Sequence, residues 1–447
     1  MSEAPAKRFI STQQAAFIGV AAMVGAGIFS LLGAAGEVAG AAVWLSFLLA
    51  GGIAALQGYS FAKLGAKFPS AGGLLEYVNQ GFGDGHIATV VAWLTYIANG
   101  IVTAMVALSF GSYASSAFAG DNAAWVKIFA VALLVTMTIL NIAGSSIVAR
   151  VQSLVVFVVI GILAFFSLVT VANIEPGNLA PSTYPGPQDI ISSVALTFFA
   201  FLGFGVVTFT AKDLANPSKQ LARAMTIAIG LATVIYVAVS IGVFGTLSVP
   251  EVIAAGPTAI AVAAQPVLGD AGYWLMTVTA LFATAGATNS GLYPATGLSD
   301  HLASSGQFPT VMARRLGGRA PFGLIILAAA IIIVVVAFDL SAVASIGSAV
   351  ALVIFAVVTL GHLRILDVTG ARRSIVLLAL AAVTITLATF IVTTLIHEPA
   401  SMVTLVAILV ISIVLDVAWS RRRAGPTGED DDHPATDVPR PVEGGPA

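Results

Sequence analysis

Two pairs of closely spaced glycines interrupt long, charge-free stretches of the sequence. Gly25 and Gly27 lie in the first such stretch, and Gly203 and Gly205 lie in the sixth. If a membrane helix is interrupted there, the N-terminus of the outer half-helix offers free N–H groups to a carboxylate, and carbonyls that end the inner half accept hydrogen bonds from an ammonium group. A zwitterionic amino acid satisfies both ends. The alternative is that these glycines serve close helix packing.

Other residues with catalytic potential form no recognisable site. His86, His301, His362 and His397 stand at or near the ends of the charge-free stretches without metal-ligand spacing, so we expect them at the membrane interface. Ser299 lies near His301 in sequence, which does not establish a nucleophile and its base. The chain has no cysteine and no phosphate loop of the form GxxxxGK[ST], which excludes thiolate chemistry and disfavours direct ATP drive. An intramembrane hydrolase is therefore disfavoured, and no cofactor is expected.

The elements that position the glycine pairs are membrane helices. Of the 447 residues, 58% are apolar and 9% are charged, whereas soluble proteins carry about 25% charged residues. Roughly 20 apolar residues in a helix cross the hydrocarbon core of a bilayer. The charge-free stretches predict an all-α membrane protein of about twelve transmembrane helices, at residues 9–36, 38–62, 87–120, 128–149, 151–174, 190–211, 224–250, 271–299, 320–338, 340–361, 374–396 and 399–415.

The basic residues predict the orientation of these spans, because cytoplasmic loops retain Lys and Arg. With twelve spans and a cytoplasmic N-terminus, eighteen of the nineteen Lys and Arg residues fall inside and only Lys127 falls outside. The uncharged run 252–269 is read as an external or half-inserted segment, because Gly256-Pro257 and Pro266 interrupt it. Residues 1–10 and 421–447 are then cytoplasmic, and the acidic, proline-rich tail 421–447 is predicted to be disordered.

The two glycine pairs also suggest an internal repeat. Five spans separate the starting points of the two segments that carry them, so the second copy enters the membrane with the opposite orientation, as in an inverted repeat. The repeats would be residues 11–174, with spans 1 to 5, and residues 190–363, with spans 6 to 10; residues 374–420 hold spans 11 and 12.

Five strings give the chain a resemblance to the amino acid, polyamine and organocation (APC) superfamily of secondary transporters. They occur in the order of that family, as GAGIF at 25–29, FPSAGG at 68–73, LNIAG at 140–144, FFAFLGF at 198–204 and GQFP at 306–309. The resemblance implies a 5+5 inverted-repeat fold with broken helices 1 and 6 and a central amino-acid site. Residues carried onto matching positions are Met23, Gly25, Ala26, Gly27, Tyr96, Asn99, Phe199, Leu202 and Gly205.

The resemblance also implies roles for these residues. Ala26 and Gly27 would donate backbone N–H groups to the substrate carboxylate, and the carbonyls of Met23, Phe199 and Leu202 would receive its ammonium group. Tyr96 and Asn99 would face the side-chain pocket, and Phe199 and Phe201 would be gates or plain packing. Gly205 departs from the family, because many relatives have an acidic or another side chain at that position.

The coupling ion is left open between Na⁺, H⁺ and none. By similarity to sodium-coupled transporters of this architecture, Ala22 and Gly25 would offer carbonyls and Thr284 and Thr288 hydroxyls. Helix hydroxyls usually bond to their own backbone, however. No Asp, Glu, Lys, Arg or His lies deep within the predicted spans, where such a group is normally retained for function.

The sequence therefore predicts a plasma-membrane permease for neutral, zwitterionic amino acids that works by alternating access. The alternatives are a transporter or antiporter of cationic amino acids or polyamines, and a small-ion carrier of the same fold. The expected partners are an amino acid and the lipid bilayer; a net charge of −2 disfavours nucleic acid, and the oligomeric state is left open.

Overall fold

The computed structural model describes residues 10–70, 73–83, 85–120, 122–143, 146–304, 308–316, 320–397 and 399–423. Within these residues the chain forms seventeen α-helices. The first nine are α1 (Thr12–Ala26), α2 (Ile28–Ala39), α3 (Val43–Lys67), α4 (Leu74–Phe82), α5 (His86–Phe118), α6 (Ala123–Ala143), α7 (Ser146–Ala172), α8 (Pro187–Phe199) and α9 (Val206–Phe209). The others are α10 (Pro217–Thr246), α11 (Val249–Ala255), α12 (Ala259–Ser304), α13 (Phe322–Ala337), α14 (Leu340–Arg364), α15 (Leu366–Thr369), α16 (Arg373–His397) and α17 (Pro399–Arg423).

Short elements connect some of these helices. Six 3₁₀ turns occur in the described chain, and one of them, Leu202–Gly205, joins α8 to α9. A small antiparallel ladder pairs β1 (Arg315–Leu316) with β2 (Ala320–Pro321) between α12 and α13. The predicted tail beyond residue 423 and the segment 1–9 lie outside the described residues.

Local sequence explains where several helices begin. Ser11 caps α1 in a capping box: the Gln14 N–H donates to Ser11 Oγ at 3.2 Å, and the Ser11 N–H donates to Gln14 Oε1 at 2.8 Å. Asp339 caps α14 by accepting the Ala342 N–H at 2.9 Å. Pro217 opens α10, where its missing N–H removes no helical hydrogen bond.

The described helices establish a multi-pass, all-α membrane protein. Eight segments are long and apolar enough to cross a membrane, and a ninth is formed when α8 and the following Leu202–Phe209 are joined across a 42° bend. Two shorter apolar helices, Phe322–Ala337 and Val403–Val417, coincide with predicted spans 9 and 12. The number of twelve crossings and the inverted relation of the two halves stay predictions.

Burial separates inner from outer helices. In the apolar stretch of α14, 78% of the residues are buried, and in α5 67% are, against 17% in α6 and 28% in α7 and α16. The core forms where α5 packs on α12 and α14 and where α1 packs on α10 and α12. The glycine pairs thus lie on helices next to the centre of the bundle, where a substrate path is expected.

The segment 252–269 differs in part from its prediction. Gly256 does end α11, because it adopts a positive φ of 52°. Pro266, however, lies inside α12, and the helix departs from helical geometry at Gly269 instead (φ 67°). The helix continues past Pro266 although this residue lacks the N–H for one helical hydrogen bond, whereas the positive φ of Gly269 produces a kink.

Candidate functional site

The first glycine pair produces only a slight interruption. Gly25 remains inside α1, and Gly27 alone separates α1 from α2, with φ −97° and ψ −72°. The Gly27 N–H donates to the Met23 carbonyl at 2.9 Å, and the Gly27 carbonyl accepts from the N–H groups of Ser30 and Leu31. The unwound stretch expected here is therefore absent in this conformation, and the N–H of Gly27 and the carbonyl of Met23 satisfy each other. Ala26 closes α1, and its side chain lies outside the described residues.

The second interruption is larger and begins at Ala200, three residues before Gly203. Helix α8 ends at Phe199, and the chain bends by 42° through Ala200 and Phe201 before the 3₁₀ turn at Leu202. The Tyr236 hydroxyl, from α10, donates to the Ala200 carbonyl at 3.0 Å. Tyr236 is fully buried between the rings of Phe201 and Phe47. A tyrosine thus satisfies a carbonyl that the bend exposes.

The two interruptions lie against each other, because glycine leaves room for close backbone contact. A Cβ atom on Gly27 would contact Ala200, 2.7 Å from its Cα, and would lie 2.9 Å from Tyr236 Oη. A Cβ atom on Gly203 would lie 2.5 Å from the Met23 nitrogen and 2.8 Å from the Ala22 carbonyl oxygen. These four distances are too short for a side chain at either glycine. Gly27 and Gly203 therefore let the two interrupted segments pack directly against each other.

Gly25 and the proposed sodium ligands occupy different surroundings. A Cβ atom on Gly25 would lie 2.8 Å from the Ala283 carbonyl oxygen, and a cavity of about 20 Å³ beside it is lined by apolar residues of α1, α7 and α12. Thr284 and Thr288 are buried but do not line this cavity. Their hydroxyls donate along α12, to Ala280 at 2.6 Å and to Thr284 at 2.9 Å. The sodium site at these residues stays a prediction.

Tyr96 and Asn99 use their polar groups for helix packing. The Tyr96 hydroxyl donates to the Gly323 carbonyl at 2.6 Å, and Asn99 Nδ2 donates to the Gly291 carbonyl at 2.6 Å. Helix α5 is thereby tied to α13 and α12. In this conformation these hydrogen bonds join helices. The role of Tyr96 and Asn99 in a side-chain pocket stays a prediction.

The remaining predicted residues lie at the second interruption. Phe199 is buried where α8 meets α14, in contact with the position of Gly347, which is itself close to Ile101 of α5. Leu202 is half-buried. Gly205 is buried but has space beside it, because a Cβ atom there would meet only Leu74 Cδ1, at 3.5 Å. Of the three predicted glycines, Gly25, Gly27 and Gly205, only Gly205 has room for a Cβ atom.

Sequence reasoning missed Tyr236 and Ala200. Both lie within charge-free stretches, and neither has a motif of its own apart from the string around Ala200. A tyrosine hydroxyl inside an otherwise apolar span was the available signal, because such a group needs a partner in lipid.

The chain segments that flank the two interruptions are also joined. Before α1, the Ile10 N–H donates to the Asp213 carbonyl at 2.9 Å, and Ile10 forms a parallel bridge with Leu214. Helix α4 carries the buried Tyr77, which packs on Phe61. Burial raises the pKa of the Tyr77 phenol above its usual range, so this residue stays neutral. The predicted cytoplasmic ends of spans 1 and 6 (residues 9–36 and 190–211) are therefore held together.

His362 was expected at the membrane interface, but its side chain is fully buried within the protein. Its Nδ1 lies 2.7 Å from Ser60 Oγ, and its Nε2 lies 2.9 Å from Thr369 Oγ1. One turn away, Thr359 donates to Gln57 Oε1 at 2.7 Å. His86 is largely exposed, as expected, although it bonds the buried Asp416 at 2.7 Å. The His362 contacts join α14 to α3 and to α15, the short helix that follows α14.

We expect His362→Leu to lower the stability of the protein. The change leaves the hydroxyls of Ser60 and Thr369 without this partner, at about 1–3 kcal/mol for a buried polar group. Thermal unfolding of the purified protein in detergent would show a lower midpoint. His362→Gln keeps one donor and one acceptor and should recover part of the loss. Equal midpoints for His362→Leu and the wild type would contradict a stabilising role.

Comparisons with known proteins agree with a transporter. The amino acid permease family profile matches residues 10–417. The inner membrane transport protein YbaT of Escherichia coli (strain K12) is 28% identical over 91% of this chain and 95% of its own length. The branched-chain amino acid permease BcaP of Bacillus subtilis is 24% identical over 52% of this chain and 54% of its own. The vacuolar cationic amino acid transporter 4 of Arabidopsis thaliana is 31% identical over 51% of this chain and 41% of its own length.

The glycine interruptions lie within the matched residues, and the match covers nearly the whole chain. The relatives are named transporters and permeases rather than enzymes. Together with the multiple apolar helices, this shows that the chain belongs to the amino acid permease family of multi-pass membrane transporters.

Proposed function

We propose that the protein carries neutral, zwitterionic amino acids across the plasma membrane by alternating access. The observation that carries this proposal is the direct contact of the Gly27 and Ala200 interruptions near the centre of the bundle. Twelve crossings with both termini in the cytoplasm would place this contact between two inverted repeats, where transporters bind their substrates. The family match supports an amino acid as the substrate.

The substrate would enter by replacing a hydrogen bond of the protein. In this conformation the Gly27 N–H and the Met23 carbonyl bond to each other at 2.9 Å. A substrate carboxylate would take the N–H groups of Gly27 and Ala26, and its ammonium would donate to Met23, Phe199 and Leu202. Exchange of one hydrogen bond for others changes the free energy only modestly, so the interruptions can part and rejoin during a transport cycle.

The absence of charge at the contact favours neutral substrates. The residues described in contact with the interruptions, namely Ala22, Met23, Ala200, Tyr236 and Leu74, include no carboxylate. A second ammonium on a cationic amino acid or a polyamine would lose its hydration there without a counter-charge. The relatives' names include both branched-chain and cationic substrates, so this local chemistry is the basis for choosing the neutral class.

A small-ion carrier of the same fold has less support. Among the residues that the structure describes, no group of three His, Asp or Glu side chains could hold a metal ion. The described contact between the interruptions includes no side-chain carboxylate, which a divalent cation would need as a ligand.

Uptake by purified protein in proteoliposomes tests the proposal. A panel of labelled neutral, acidic and basic amino acids would be offered, with sodium and pH gradients imposed separately and with preloaded amino acid to detect exchange. We expect saturable uptake or exchange of neutral amino acids. Failure of every amino acid to enter or exchange contradicts the proposed function, and a clear preference for lysine or arginine contradicts the neutral class.

We expect the transport rate not to depend on the threonine hydroxyls of α12. Thr284→Val together with Thr288→Val removes both hydroxyls, which in the wild type donate to the helix backbone. Uptake in sodium medium and in choline medium should be unchanged. If uptake depends on sodium and the double variant abolishes it, the two hydroxyls form part of a sodium site. Thr279→Val, which removes another backbone-bonded hydroxyl of α12, is the matched control.

A further inference from the structure

A groove of about 760 Å³ runs between α3 and α10. Its floor is closed because glycines let the two helices touch: a Cβ atom on Gly51 would lie 2.7 Å from Thr233 Cγ2, and one on Gly58 would lie 2.6 Å from Ile229 Cδ1. Its walls are open because Gly52 and Gly230 have no atom within 4 Å of a Cβ position. The volume lies within the range of about 300–1,000 Å³ that is typical of small-molecule sites.

One end of this groove is basic, and the rest is apolar. Lys63 and Lys67, one helical turn apart at the end of α3, line the groove together with Ser218 at the start of α10. Lys63 Nζ lies 6.0 Å from the ring centroid of Tyr59. Among the described residues neither lysine forms an ion pair. The N-terminus of α10 adds the positive end of a 30-residue helix to the same place.

We propose that the groove binds an anionic phospholipid, with its acyl chains between α3 and α10 and its phosphate at Lys63 and Lys67. An apolar trough that opens to the side of a membrane helix pair suits acyl chains, and two lysines beside a helix N-terminus suit a phosphate. In the orientation proposed above, this lipid belongs to the inner leaflet. The inference uses no property of the amino-acid site.

The groove adjoins the buried histidine contact. Thr369, whose hydroxyl lies 2.9 Å from His362 Nε2, also lines the basic end of the groove. A bound headgroup would therefore contact the turn after α14 as well as α3 and α10, and would link these elements at the membrane surface.

Native mass spectrometry of the full-length protein in detergent tests the proposal. The probes are dioleoyl phosphatidylglycerol and dioleoyl phosphatidylcholine, titrated separately and in competition. We expect the wild type to retain phosphatidylglycerol preferentially. Lys63→Gln should lower that preference about fivefold, and Lys63→Gln with Lys67→Gln about 30-fold, because a lysine near an anionic surface contributes about 1 kcal/mol. Arg223→Gln, on an exposed residue of α10 that does not line the groove, is the charge control and should change nothing.

Filling the groove provides the second arm. Gly52→Trp and Gly230→Trp each add an indole to a residue that lines the groove and has no atom within 4 Å of its Cβ position, so the fold should tolerate them and the retained lipid should be lost. Gly161→Trp on α7 has the same free space and is the control. Unchanged phosphatidylglycerol binding in the tryptophan variants overturns the site. Equal loss of both lipids in the lysine double variant, or equal loss in Arg223→Gln, overturns the headgroup assignment. Size-exclusion profiles check the folding of every variant, and none of these readings depends on transport.

Discussion

Gly27→Val protein is expected to reach the membrane and to take up no amino acid above the level of empty liposomes. The first atom of the valine side chain would overlap Ala200 and approach Tyr236 Oη to 2.9 Å, so the two interruptions could not meet. A branched side chain would also cover the N–H that the proposed substrate carboxylate needs. Proteoliposome uptake, normalised to the amount of reconstituted protein, measures the effect.

Two controls separate loss of the site from loss of the fold. Gly161→Val changes an exposed helical glycine with nothing within 4 Å of its Cβ position, and it should transport normally. Gly27→Ala with Ala200→Gly removes the methyl–methyl overlap and should recover part of the uptake that Gly27→Ala alone loses. Normal uptake by Gly27→Val would remove the proposed carboxylate site.

Gly205→Glu is expected to shift selectivity toward cationic amino acids. The position is buried and its Cβ would meet only Leu74 Cδ1 at 3.5 Å, so a side chain can be accommodated. A carboxylate here would supply the counter-charge that the site lacks, and a preference of about tenfold corresponds to about 1.4 kcal/mol. The ratio of lysine to leucine uptake in proteoliposomes is the measurement. The amount of protein should fall, because an ionisable residue within the membrane is costly to insert.

Gly205→Gln is the matched control for Gly205→Glu, because it has the same size without the charge. Gly205→Ala tests whether any side chain is tolerated and should keep neutral uptake. If Gly205→Glu and Gly205→Gln show the same lysine to leucine ratio, Gly205 does not face the substrate, and the neutral preference needs another explanation.

The general plan of the protein could be predicted from sequence because it depends on local composition. Charge-free stretches of membrane length mark helices wherever they occur, and each predicted span overlaps a described helix or helix pair. Eight described segments, or nine with the bent pair, are long and apolar enough to cross a membrane, so the number of twelve crossings stays a prediction. The glycine pairs could be found for the same reason, since backbone interruptions in lipid are tolerated only in special places. Pro266 shows the limit: the local rule favours a break there, but the helix continues to Gly269, where the backbone itself is left-handed.

Polar partners in the site could not be predicted in this way. The hydroxyl of Tyr96, expected in a pocket, donates to Gly323, 227 positions later in the chain, and His362, expected at the interface, is buried against Ser60, 302 positions earlier. A single sequence does not state which distant helices meet. The side on which a histidine or tyrosine lies is therefore decided by packing.

The sequence by itself determined that this is a membrane protein with two glycine pairs in charge-free stretches, because hydrophobicity and glycine spacing act within one helix. Its resemblance to the APC superfamily indicated a transporter. Only the tertiary structure decided that Gly27 meets Ala200, that Gly203 meets the backbone of Ala22 and Met23, and that Tyr236 satisfies the carbonyl at the bend. These contacts join α1, α8 and α10, which are far apart in the chain. Close packing selects them, since the missing side chains of Gly27 and Gly203 let another chain segment lie against each of them.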